Sequence, residues 1–385
     1  MAALTLWTIT FYLITGLAFV FYSGSYVAVV CLAIVCLLAI YAISLRAFSL
    51  GAFLLLAGLL ILPSVISLLA NGADTQVWLR PLLFTALVGS AYLAGATLDG
   101  QTFVRSLQLA TVSGLATAPL AASLHGWDLA SAALTGKRLI FADGFQPNTL
   151  GLMFLALAIS SAIAFRSYAK WLAIALCFAG SVATSSRAAM ISIIVVALAS
   201  ELLTPRGRTR LAVVGLIGSI SLALSPIGTS LLDSLFHLSD PLRGISSGGS
   251  GRLSLWDDYI TLWMRQPIFG LGLDARIMRN GTELYTHNLL LQLLVDAGII
   301  NLVCFSLFIS SLLYLIATDR SGDELRNGAS ICLAGYLSYG IFEGRTMNVG
   351  NSLSCLVFVV LFAYLGSRLQ QRTPSYSIRE MRSQA

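Results

Sequence analysis

The sequence predicts an all-α, polytopic membrane protein of about twelve transmembrane helices with one long outer loop. Two observations lead there. Of the 385 residues 57% are hydrophobic and only 10% charged, with mean hydropathy +0.85, whereas an ordinary soluble domain carries roughly 25% charged residues. Apolar stretches of the roughly 20 residues a helix needs to cross a hydrocarbon core recur from Leu4 almost to the end of the chain. These runs are continuous, without the period-two alternation of a membrane barrel, so strands are not expected. Helices satisfy their own backbone in lipid.

The expected spans lie near 4–22, 26–45, 48–70, 77–97, 103–124, 147–165, 169–185, 188–204, 211–231, 288–317, 328–345 and 349–367. The first has no basic residue ahead of it and no small-residue cleavage signal, so it reads as a retained anchor. No internal repeat and no soluble catalytic domain is visible. The chain divides into helices 1–9 (1–231), an outer loop with an amphipathic helix (232–286), helices 10–12 (287–367) and a basic tail (368–385).

Basic residues set the orientation. With the N-terminus inside, Arg46, Arg105, Arg166, Lys170, Arg206, Arg208, Arg210, Arg320, Arg326 and the tail arginines all become cytoplasmic, and so do both termini. PRGRTR at 205–210 then faces in and NGADTQ at 71–76 faces out. The loops at 125–146 and 232–286 are outer, yet they carry Lys137, Arg138, Arg243, Arg252, Arg265, Arg276 and Arg279, with Arg80, Arg187 and Arg345 near outer helix ends. Long loops escape the charge rule; the alternative is a basic vestibule for an anionic ligand. Of the 23 basic residues only Lys137 and Lys170 are lysines. Arginine's planar fork suits phosphate and carboxylate oxygens, although a GC-rich genome gives the same bias.

All six cysteines fall within expected spans, where they act as small apolar residues. There is no CxxC and no zinc spacing, and no cofactor, metal or nucleic acid is expected. The sequon Asn280-Gly281-Thr282 matters only in a glycosylating compartment, and GLGLD at 270–274 lacks the strand and third glycine of a dinucleotide fingerprint.

In the outer loop, SSGGSG at 246–251 reads as a flexible approach and RLSLWDDYITLWMRQ at 252–266 as a helix stopped by Pro267. At about 100° per residue, Leu255, Trp256, Tyr259, Ile260, Leu262, Trp263 and Met264 share an apolar face; Ser254, Asp257, Asp258, Thr261 and Arg265 share the polar one. Such a helix lies at the membrane surface or packs on the bundle. Arg252 falls at the centre of the apolar face, where its guanidinium snorkels or meets an anion held near the membrane.

The next helix opens at THNLLLQLLVDAGII, 286–300, with Thr286 as its expected N-cap. Asn288, Gln292 and Asp296 form one stripe, and His287 lies off it among leucines. His287 is either a hydrogen-bonded buried histidine or a general base; a helix N-terminus disfavours imidazolium, which would keep the ring able to accept a proton. Two further outer segments are TSSRAAMIS at 184–192, bearing Arg187, whose charge beside a span needs a partner or a wet cavity, and KRLIFADGFQPNTLG at 137–151, where a turn and cap explain Pro147 and Asn148.

RLSLWDDYITLWMRQPIFGLGLDAR followed by THNLLLQLLVDAGI resembles the O-antigen ligase and polymerase superfamily of bacterial envelope glycosyltransferases, and TSSRAAMIS and GFQPNTLGL are similar to its patterns. The clearest piece is His287-Asn288, nine residues, then Gly298. The ligase pattern continues to a small or aromatic position where this chain has Asn301, which favours a polymerase.

The resemblance implies a GT-C-like, metal-independent, inverting transferase in the bacterial inner membrane, acting on its periplasmic face. The donor would be an undecaprenyl-diphosphate-linked glycan. The acceptor would be a second lipid-linked glycan for a polymerase, or a lipid A core or protein for a ligase; a chain-length regulator or flippase would be a partner. His287 would be the base, with Arg187, Arg252 and Arg138 on the diphosphate and Arg80 and Asn288 as secondary candidates. A transporter or flippase of a lipid-linked anion is the rival from another class, and would show charges deep in the bundle and broken helices near the midplane. A non-catalytic scaffold would leave apolar-face Arg252 and His287 unexplained.

Overall fold

The computed structural model describes residues 2–16, 50–72, 75–124, 147–204, 207–209, 248–273, 275–279, 282–344 and 351–371, with isolated residues between 32 and 40. The expected spans at 26–45 and 211–231, the loop bearing Lys137 and Arg138, Arg345 and the basic tail beyond 371 lie wholly or largely outside the described residues.

The protein is mostly helical, as a helical membrane protein should be. In order come α1 (Ala2–Thr15), α2 (Leu50–Ala70), α3 (Thr75–Ala94), α4 (Gly100–Leu124), α5 (Pro147–Ala164), α6 (Ser167–Ala183) and α7 (Arg187–Leu202). They are followed by α8 (Gly248–Trp263), β1 (Ile277–Arg279), β2 (Thr282–Leu284), α9 (Leu289–Thr318), α10 (Glu324–Gly340) and α11 (Ser352–Gln371). Among the described residues four helices are long and apolar enough to cross a membrane, at Phe53–Ala70, Val77–Ala94, Leu289–Thr318 and Ser352–Leu369; shorter apolar helices cover Ala3–Thr15, Asn148–Ala164 and Ser167–Ala183.

The distribution of apolar side chains explains the packing. α11 is the axis: Leu353 to Leu365 are buried on every side, against α3, α10, α5 and α1. Its neighbours are apolar outward as well. Ile299, Val303 and Leu307 form an exposed stripe at i, i+4, i+8 on α9, and Leu54, Leu55 and Leu62 line α2. In water such patches would drive association; in lipid they are the solvent-facing surface.

Charged side chains gather at one end of the bundle. Arg166 pairs with Glu324 at 2.9 Å, buried Lys170 with Glu201, and Arg368 with Asp319 at 2.9 Å and with Asp323. At Asp319 burial works against the carboxylate, but hydrogen bonds from Ser321, the charge of Arg368 and the Tyr364 hydroxyl outweigh it and hold the carboxyl below its ordinary value. α10 starts at this end and, at 17 residues, runs roughly 25 Å to the other.

The sequence-based helix at 288–317 is two helices. Ala297 (φ −142°, ψ 26°) and Gly298 (φ 71°, ψ −169°) break α9 into an arm, 289–296, and a second helix, 299–318. The 20 residues of the latter extend about 30 Å, the thickness of a hydrocarbon core. A break in a helix frees backbone groups that need partners, and four of these groups have partners from outside the helix ladder. The Val295 carbonyl accepts from Leu271 N (2.8 Å), Asp296 O from Gly272 N (3.1 Å) and from the Ser67 hydroxyl (2.6 Å), and Leu293 O from the Asn301 amide (3.1 Å); Ile299 N donates to Pro267 O (2.8 Å). GLGL at 270–273 therefore belongs to the loop that fills the break, and Asp274 lies outside the described residues. Gly270 (φ 67°) and Gly298 each pass so close to the other strand of chain that a Cβ on Gly298 would strike the Ile268 carbonyl.

Three further expectations are corrected. α8 begins at Gly248, inside the stretch read as flexible. Its buried face is narrower than the wheel, with Leu255 and Tyr259 buried but Ile260 and Met264 exposed. The segment between α8 and α9 also contains a strand pair, so the protein is not purely α: β1 and β2 are antiparallel with Arg279 opposite Thr282. The two residues between them, Asn280 and Gly281 of the sequon, lie outside the described residues.

Candidate active site

The arm of α9, the hairpin and α8 form a small unit around Leu255, Tyr259, Leu291 and Val295. Its polar ties are specific. The Tyr259 hydroxyl donates to Leu284 O (2.6 Å), and Trp256 Nε1 donates to Thr286 O (2.9 Å). The Thr286 hydroxyl, fully buried, donates to Gln292 Oε1 (2.8 Å), and Gln292 donates to Asp296 Oδ1 (2.6 Å). Thr286, Gln292 and Asp296 thus form the polar stripe of the arm.

The N-cap is Asn288, not Thr286: its side chain accepts from Leu291 N at 3.0 Å. His287 therefore precedes the helix, and the expectation that it lies among the leucines of a helical face is overturned. Its φ of 49° is in the left-handed region, which costs a non-glycine residue about 1–3 kcal/mol and is held here by buried Thr286 on one side and the Asn288 cap on the other. The backbone turn carries the imidazole away from the arm and toward the end of α10.

There it meets Glu343. His287 Nδ1 lies 3.1 Å from Glu343 Oε2, and Arg252 Nη2 lies 3.8 Å from Glu343 Oε1. Arg252 Nη1 also donates to Phe342 O (3.0 Å), Asn148 Nδ2 donates to Glu343 Oε1 (3.0 Å), and Asn288 Nδ2 donates to Ile341 O (3.3 Å). The Glu343 side chain is 10% exposed, those of Arg252 and His287 25% and 31%. The carboxylate is thus the buried hub, and the two sequence-derived candidates converge on it from different elements. Gly344 permits this approach, because a Cβ there would strike the Thr286 hydroxyl.

Glu343 also changes the electrostatic picture. A helix N-terminus alone disfavours imidazolium, but a carboxylate on Nδ1 stabilises the cation that forms when Nε2 takes a proton. Glu343 is absent from the candidates drawn from sequence, although the signal is present: it is the one acidic residue between Glu324 and Glu380, at the end of an expected span. An isolated carboxylate in that position is a functional candidate by default.

The other candidates separate. Arg187 opens α7, partly buried, at the same end of the bundle as Asn148, with the preceding Ser186 against Gly151 of α5. Arg80 is exposed on the second turn of α3. Arg138 lies outside the described residues. Asn288 acts on the backbone, capping the arm and fastening it to the turn after α10.

Residues 172–306 match the family model described as O-antigen ligase. Over this segment the chain is similar to the O-antigen ligase family. The matched segment contains Arg187, Arg252 and His287, together with the hairpin and the break in α9. Glu343 and Asn148 lie outside the matched segment, so the candidate site is completed by α5 and the end of α10. No curated protein matches the chain. The family supports a role in bacterial polysaccharide assembly at a membrane.

Proposed function

We propose that this protein is an inverting, metal-independent glycosyltransferase of the bacterial inner membrane, with about twelve spans and both termini cytoplasmic. It takes a glycan from undecaprenyl diphosphate at the periplasmic face. The observation that carries this reading is the His287–Glu343–Arg252 cluster within and beside the segment similar to the O-antigen ligase family. With Nδ1–H donated to Glu343, Nε2 bears the free lone pair. As an acceptor hydroxyl attacks the anomeric carbon, its O–H proton passes to Nε2 while the bond from that carbon to the diphosphate oxygen breaks. The electron pair leaves with undecaprenyl diphosphate. Glu343 orients the ring and balances the imidazolium, as carboxylates do for histidine bases elsewhere.

Arg252 has five N–H donors in a rigid fork. With one on Phe342 O and another directed at Glu343, others remain for diphosphate oxygens, and Arg187, with Arg138, would add charge for the leaving group. Arg252→Lys replaces the fork by a point charge and is expected to raise the donor KM about tenfold, the effect of losing one charge-assisted hydrogen bond. Unchanged donor binding would count against the diphosphate role.

A transporter would share the broken helix, but the carbonyls freed at this break have protein donors from 271, 272, Ser67 and Asn301. A span of full length follows it. Asn301, which favours a polymerase at the level of sequence pattern, donates its side-chain amide to the Leu293 carbonyl at the break. Purified protein supplied with an undecaprenyl-diphosphate-linked glycan should release undecaprenyl diphosphate only when an acceptor is present. Elongation of a second lipid-linked glycan identifies a polymerase, and labelling of a lipid A core or protein a ligase. Movement of intact donor across the bilayer without transfer would overturn the proposal.

A further inference from the structure

We propose that Asn148 is a positioning residue of this site, fixing the carboxylate of Glu343 so that His287 presents the correct nitrogen. The inference rests on the transferase reading above. A turn and cap suffice to explain Asn148 from sequence, but α5 starts at Pro147, which puts Asn148 inside the first turn and past the N-cap. Its amide instead reaches across to α10's end and donates to Glu343 Oε1 at 3.0 Å. The Tyr339 hydroxyl, one turn before Glu343, donates to the Asn148 carbonyl at 3.4 Å, so side chain and backbone both join α5 to α10 at this point.

The division of the carboxylate is what matters. Oε2 faces His287 Nδ1, while Oε1 takes Asn148 and lies 3.8 Å from Arg252. Arg252 is beyond hydrogen-bonding reach and would turn toward a bound diphosphate. Asn148 is then the donor that keeps Oε1 occupied throughout the cycle, leaving Oε2 for the imidazole. A neutral amide does this without adding charge, and the start of a helix beneath it favours the carboxylate's negative charge.

The test uses full-length protein, an undecaprenyl-diphosphate-linked glycan and its acceptor, with thermal unfolding as the folding control. Asn148→Ala is expected to lower kcat about tenfold with donor KM unchanged, the effect of one lost hydrogen bond to a charged group. Asn148→Asp keeps the shape but sets a second carboxylate against Oε1, and should fall at least tenfold below the alanine variant. Combining Asn148→Asp with Glu343→Gln restores a donor–acceptor pair and should recover at least tenfold over Asn148→Asp alone. A packing role predicts the reverse order, with the isosteric aspartate more active than alanine; that result, or wild-type kcat in both single variants, overturns the inference. Full activity of His287→Ala would instead remove the base assignment beneath it, which separates the two failures.

Discussion

His287→Ala is expected to insert, fold and bind donor normally while glycan transfer falls about 10²–10⁴-fold, the usual contribution of a general base. The separation of folding from activity follows from where the side chain sits. The arm is capped by Asn288 and packed through Leu291 and Val295, none of which needs the imidazole. The left-handed backbone at 287 is if anything a local cost, so Gly at this position should stabilise the fold slightly while remaining inactive. The check is the transfer rate against thermal unfolding of the same preparations. A His287→Ala protein at wild-type rate would remove the base assignment altogether.

The second large effect is structural. Gly298 has φ 71° and ψ −169°, a combination essentially restricted to glycine, costing other residues about 1–3 kcal/mol from the backbone alone. A Cβ would also meet the Ile268 carbonyl. Gly298→Ala is therefore expected to displace loop 267–272 from the break, exposing the carbonyls of Val295 and Asp296 and releasing the arm that aims His287. Limited proteolysis should become faster within 264–276, and transfer should fall with it. Gly58→Ala, in α2 with open space around the added methyl, is the control and should change neither. Wild-type proteolysis in Gly298→Ala would mean that the break is not what positions the unit of α8, the hairpin and the arm.

Much of this was legible in the chain because membrane helices announce themselves by composition. The pieces 50–70, 75–94 and 352–371 fall close to the apolar stretches that mark them. Arg252 on the apolar face of α8 and His287 at the head of α9 were also legible, because a polar residue in an apolar pattern is conspicuous. What periodicity does not carry is an interruption whose backbone is satisfied from far along the chain. The break at 297–298 leaves the hydropathy of α9 unbroken, and its partners come from Ser67 and from 267–272. Glu343 was missed for a related reason: a weighting toward basic residues, suited to an anionic donor, passes over the one carboxylate that organises them.

The most direct test of the account is a double-mutant cycle between His287→Ala and Glu343→Gln, read as transfer rate at saturating donor and acceptor. If Glu343 acts through the imidazole, Glu343→Gln alone lowers the rate, and adding it to His287→Ala costs nothing further, because residues that act as a unit are strongly non-additive. Two effects that simply multiply would contradict the account, since they would mean that Glu343 and His287 serve transfer independently.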